Sequence, residues 1–329
     1  CSSFLAGRAH ELQTLNEHTM YMPYGTSLRM GRLGYQSDAQ ASIAVSYNSL
    51  DGYGASLQDA LTRPYPAYEA IGVRNPGGDY NQLDTSLLQI ENEFYGTIRP
   101  KRVIQPGERP LHALRERGVE YIEVRLMDLD PFIPVGITAQ TMRFLDVFLL
   151  HCLLADSPPD TPQEIAETSH SRDRVAARGR EPGLRLERDG REVLLTDWGM
   201  ELMEAFVPIA ARLDAVHGGT QYRQALMAAR AGLADASTLP SARVLEVMAR
   251  EFDNSFIRFA RAQSQQTRRA LLSLPFPADM QARFRAMAQQ SIEDQKKVEA
   301  ADTVPFDIYL QQYLSPERLG LPGALPRAA

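Results

Sequence analysis

The stretch Leu88–Arg102, LQIENEFYGTIRPKR, and its sequel Gly118–Arg125, GVEYIEVR, carry the reading of this chain. Side chains alternate between the two faces of a β-strand. A regular strand therefore places Glu91, Glu93, Tyr95, Thr97, Arg99 and Lys101 on one face, with Ile90 and Phe94 on the other. The same rule puts Tyr121, Glu123 and Arg125 on one face of the second segment and Ile122, Val124 and Leu126 on a reverse face committed to packing. Pro100 lacks the N–H a ladder needs and is expected to break the first strand.

An antiparallel sheet often buries one face and solvates the other. The pattern by itself thus serves two readings equally: half-exposed strands with a charged surface, or a working face. The kind of charge favours the second. Glu123 offers a hard anionic oxygen for a divalent cation, and Arg125, two residues on, offers a planar fork for phosphate oxygens. Together they are the minimum equipment for handling a magnesium nucleotide.

Working outward, the 329 residues hold 44% hydrophobic and 23% charged side chains, ordinary for a globular protein with a substantial core. The formal net charge of −6 argues against bulk nucleic-acid binding. Only Cys1 and Cys152 occur, with no zinc spacing and no disulfide framework, which fits a reducing cytoplasm. The most apolar run, Phe144–Ala155, falls short of the roughly 20 apolar residues that span a bilayer and is expected to be a buried helix. Its His151 reads as a core histidine with a backbone partner. No Gly-x-Ser-x-Gly elbow, no Gly-x-Gly-x-x-Gly and no Walker lysine are present, so any ATP is bound on a sheet surface.

The fold expected from pattern is α+β. Residues 1–137 mix strands, turns and short helices, and residues 138–329 are mainly helical and pack on the sheet. Thr138 is placed to cap a helix running to Leu154, Gly118 to end one from Leu111, and Asp189-Gly190 to turn a hairpin. Helices are expected at Glu201–His217, Gln221–Ala234, Ser241–Glu251, Phe256–Leu274 and Met280–Ala301.

The two strand segments, with CSSFL at Cys1–Leu5, MPYGTSLRMGRLGY at Met22–Tyr35, PGLRL at Pro182–Leu186, SARVLEVM at Ser241–Met248 and EAADTVPFDIYL at Glu299–Leu310, resemble the proteobacterial glutamate–cysteine ligases across nearly the whole chain. The resemblance implies a glutamine-synthetase-like antiparallel sheet whose concave face is the active site. It implies ATP-dependent joining of the L-glutamate γ-carboxylate to the L-cysteine amino group through an acyl phosphate, the first step of glutathione biosynthesis, with Mg2+ and without a nucleic-acid or membrane partner. Glu123 falls on the family's metal position and Arg125 on an arginine near the transferred phosphoryl group. Arg29, Tyr35 and Tyr95 fall on the pocket for cysteine. Arg99 and Lys101 are further phosphate candidates, with Glu93 a residue that orients an arginine and Glu91 a reserve metal ligand. Family members begin upstream with a carboxylate-rich segment, so this chain is expected to be the carboxy-terminal part of a longer enzyme and inactive by itself. A related ligase with another amine substrate, and a catalytically silent helical interaction module, are the alternatives.

Overall fold

The computed structural model describes residues 12–31, 34, 39–40, 43 and 45–319. Along the chain, the hairpin β1 (Gln13–Asn16) and β2 (Thr19–Tyr21) precedes the helices α1 (Leu50–Thr62) and α2 (Pro66–Ile71). Then come β3 (Ile98–Lys101), α3 (Pro110–Arg117) and β4 (Tyr121–Val124), followed by α4 (Ala139–Leu154) and α5 (Pro162–Arg178). A second hairpin, β5 (Arg185–Arg188) and β6 (Arg191–Leu194), leads into α6 (Leu195–His217), α7 (Gln221–Ala234) and α8 (Pro240–Glu251). The described chain closes with α9 (Phe256–Leu272), α10 (Ala278–Ala301) and α11 (Phe306–Tyr313). The fold is α+β as expected, mostly helical, and among the described residues the strands form three separate two-stranded antiparallel sheets.

The chain divides into two compact units, Cys1–Asn48 with Leu126–Arg268, and Ser49–Arg125 with Arg269–Ala329. In the first, Val147 of α4 and Leu226 of α7 pack with Met203, Phe206 and Ala210 of α6. Gly199 permits this close approach, since a Cβ there would meet Leu233 Cδ1 at 2.8 Å. Thr138 caps α4 by accepting from Thr141 N at 3.0 Å. The hairpin turns where expected, with Asp189 at φ 53° and Gly190 at φ 72°, the paired left-handed conformations of a tight two-residue turn.

Two expectations for this unit fail. α4 is not an interior helix, because only Val147 is buried and Leu153 and Leu154 are 77% and 71% exposed. The His151 ring packs tilted at 59° against Phe206, 4.9 Å between centroids, rather than finding a backbone partner. Helix α5 escapes the sequence pattern because it is polar nearly all round and buries only Ser171 and Ala176.

In the second unit α1 buries Tyr53, Leu57, Ala60 and Leu61, an i, i+4, i+7, i+8 stripe. α1 packs against α3, whose Leu111, Ala113 and Leu114 are buried. Gly118 ends α3 at φ 72°, its N–H bonded to Leu114 O at 2.8 Å. Leu88 N donates to Ala60 O at 2.9 Å, which ties the segment before β3 to α1.

Candidate functional site

β3 and β4 pair antiparallel, with Arg99 opposite Glu123, Pro100 opposite Ile122 and Lys101 opposite Tyr121. Directly opposed residues share a face, so Arg99, Lys101, Tyr121 and Glu123 stand together. Arg125 extends this face by one pair, its N–H donating to Thr97 O at 2.9 Å. That hydrogen bond also accounts for Pro100. By alternation, the proline nitrogen faces away from β4, at the open edge where no donor is required. The strand therefore runs through Pro100 instead of breaking there.

Lys101 Nζ lies 3.4 Å from Glu123 Oε2. The distance makes an ion pair, yet the geometry is not that of a hydrogen bond, and this solvent-shielded oxygen has no hydrogen-bond partner. Buried polar atoms are nearly always satisfied, so such an oxygen is suited to a cation. Glu123 thus fits a magnesium ligand by donor type and by its unspent lone pairs. It is one ligand only, since no group of three or more His, Cys, Asp or Glu able to hold a metal occurs among the described residues.

Arg99 is buried, at 5% exposure, and its Nη2 donates to Asn92 O at 3.0 Å. With Lys101 and Arg125 it gives the face three cations against the single carboxylate of Glu123. Such a balance suits polyphosphate oxygens, which need several positive partners.

The continuous strand expected from Leu88 does not form. Glu91–Glu93 is a turn of 3-10 helix, and regular strand begins at Ile98. Glu91 faces inward to Arg109, whose Nε reaches Oε1 at 3.0 Å and Oε2 at 2.8 Å while Nη2 lies 2.6 Å from Oε2. Its oxygens are fully engaged, so it is no reserve metal ligand. Glu93 Oε2 accepts from Gln89 N at 2.8 Å and stabilises the same turn. Tyr95, 41% exposed, lies in the irregular link before β3. The reverse face of β4 is not fully packed either, with Ile122 46% and Leu126 39% exposed.

Arg29 sits exposed in a turn of the first unit. The preceding loop is stapled to α5, Thr26 N and Ser27 N both donating to Ala176 O and Thr26 Oγ1 to Val175 O. Tyr35 lies outside the described residues. Arg109 carried no sequence signal, yet it organises the approach to β3. It joins Glu91 to α11 by donating from Nη1 to Tyr313 O at 2.7 Å, with its guanidinium 4.5 Å over the Tyr313 ring.

The glutamate–cysteine ligase family model matches residues 1–175. The chain is 49% identical over 310 residues to a glutamate–cysteine ligase of Janthinobacterium sp. (strain Marseille), covering 94% of this chain and 58% of that protein. It is 45% identical to the one of Pseudomonas fluorescens (strain Pf0-1), with 95% and 58% covered. The crystal structure of the glutamate–cysteine ligase of Francisella tularensis in complex with AMP superposes with a TM-score of 0.86 at 35% identity, covering 92% of this chain and 59% of that one. The chain therefore spans 58% of the length of the curated relatives it matches. No described helix is long and apolar enough to cross a membrane. With a family model over more than half of its length, and with relatives in sequence and structure that agree with it, this chain belongs to the glutamate–cysteine ligase family.

Proposed function

We propose that this chain forms part of the active site of an ATP-dependent ligase that joins the γ-carboxylate of L-glutamate to the amino group of L-cysteine in a reducing cytoplasm. The observation that carries the reading is the charged face of β3 and β4, where a buried Glu123 oxygen without a hydrogen-bond partner lies beside Lys101 and one pair from Arg125. The relatives supply the reaction class, and one of them is described in complex with AMP.

A carboxylate is a poor acylating agent because oxide would have to leave. In the proposed sequence a γ-carboxylate oxygen attacks the terminal phosphorus of ATP and ADP departs. The cysteine nitrogen then attacks the acyl carbon, phosphate leaves with the carboxylate oxygen that had attacked phosphorus, and the amine sheds a proton. Phosphoryl transfer needs positioning and charge neutralisation more than covalent help. Arg125 places a guanidinium against the oxygens that carry the charge in flight, and Arg99 and Lys101 hold the remaining phosphates. Glu123 would hold magnesium, which when bound neutralises phosphate charge. By resemblance Arg29, Tyr35 and Tyr95 are assigned to the recognition of cysteine, a guanidinium being the natural partner of an amino-acid carboxylate.

The test uses a polypeptide of full family length carrying this sequence, supplied with glutamate labelled with 18O in its γ-carboxylate. An acyl phosphate requires one label per turnover in the released inorganic phosphate. Product formed with unlabelled phosphate contradicts the mechanism, and preference for an amine other than cysteine contradicts the substrate assignment.

A further inference from the structure

The segment His18–Leu28, together with α8 and the start of α9, lines a half-open pocket of ≈ 330 Å3 in the first unit. Its walls include Met20, Met22, Val244, Leu245, Met248 and Phe256. Three thioethers make such a wall adaptable to chains of varied shape. The volume falls at the low end of the range, about 300–1,000 Å3, of clefts that enclose small ligands.

Among the described residues Arg180 is the one permanently charged side chain of a mainly apolar lining that also includes His18, Thr19, Thr26, Ser27 and Ser241. Arg180 donates from Nε to Gly25 O at 3.2 Å and from Nη2 to Pro23 O at 2.7 Å. A guanidinium carries five N–H donors, so two carbonyls leave donors to spare. Among the described residues no carboxylate lines the cavity. Burial holds the Arg180 pKa below its usual value with no anion opposing it. A partly desolvated cation without a counter-charge is unfavourable unless something negative joins it. A neutral apolar guest fills the walls and leaves the guanidinium unmatched; a planar carboxylate at one end of an aliphatic chain satisfies both.

We propose that this cavity is a binding site for a small aliphatic carboxylate, its chain against Met20, Met22 and Met248 and its head group on Arg180. The pocket is built from the first unit alone and its readout is binding, so it stands or falls independently of the ligase reaction.

Calorimetric titration of the purified chain with octanoate, and with octanol as the uncharged control, tests it. The expectation is a single site for octanoate, with octanol roughly tenfold weaker because it forgoes the charge-assisted hydrogen bonds. Val244→Trp, which fills the cavity, should abolish binding. Ile257→Glu, at a lining position 65% exposed and tolerant of change, should weaken octanoate several-fold by placing a carboxylate beside the site. Arg180→Gln should reduce octanoate to the level of octanol, with the thermal unfolding midpoint of each variant measured alongside. No heat from octanoate, equal binding of octanol, or undiminished binding by both Val244→Trp and Ile257→Glu overturns the assignment.

Discussion

Glu91 and Arg109 form a bidentate ion pair shut away from water, with Nη2 2.6 Å from Oε2 and the two side chains only 4% and 1% exposed. The pair fixes the turn that delivers the chain into β3. Breaking such a pair from one side strands a buried charge, which typically costs about 3–5 kcal/mol. Arg109→Leu should therefore lower the urea unfolding midpoint strongly. The double variant Glu91→Leu with Arg109→Leu should recover much of that loss, because the desolvated charge is gone too. Equal losses in the single and double variants would show that the pair does not act as a unit.

Glu108 gives the second unit a measurable acid response. Both its oxygens accept from Arg117, at 2.7 and 2.8 Å, and Oε2 also accepts from Gln105 N at 2.8 Å. These bonds, led by the Arg117 guanidinium, hold its carboxyl at about 2 against an ordinary 4.5. Because the folded value is the lower one, the stabilisation is fully present above pH 4.5 and is lost as pH falls through about 2. Glu108→Gln should accordingly flatten the fall in unfolding midpoint between those pH values. A profile unchanged by the substitution would remove Glu108 from the acid response.

How much of this was legible in the sequence depended on how local the cause was. Alternation placed Arg99, Lys101, Glu123 and Arg125 on one face because antiparallel register preserves parity, and Asp189-Gly190 turned its hairpin because both residues accept positive φ. Alternation failed from Leu88 to Thr97 because Arg109, distant in sequence, draws Glu91 inward and the chain coils into a 3-10 turn. Extending a period-2 pattern through ENE had no means of registering that partner. Pro100 misled for the opposite reason: its consequence depends on which edge its nitrogen faces, and only the pairing settles that. Arg180, surrounded by carbonyls of a loop some 155 positions earlier, left no trace in spacing.

Arg29 supplies a substrate-specific prediction. In a polypeptide of full family length, Arg29→Ala should raise the Michaelis constant for cysteine far more than those for ATP or glutamate, since the lost contact belongs to one substrate. Removing a charge-assisted hydrogen bond corresponds to roughly 1.5–3 kcal/mol, or about 10- to 150-fold. Equal changes for all three substrates would mark Arg29 as a structural residue of its turn.

The most direct test of the working face is the magnesium dependence of γ-glutamylcysteine formation in that full-length polypeptide, compared between the parent and Glu123→Gln. The substitution keeps shape and removes one ligand charge, so the magnesium concentration for half-maximal rate should rise by at least the roughly 10- to 100-fold that follows loss of a residue merely orienting a metal ligand, with turnover reduced at ordinary magnesium. A parent-like magnesium curve and parent-like turnover would mean that the unsatisfied oxygen beside Lys101 holds no cation, and that the charged face of β3 and β4 is a solvated surface.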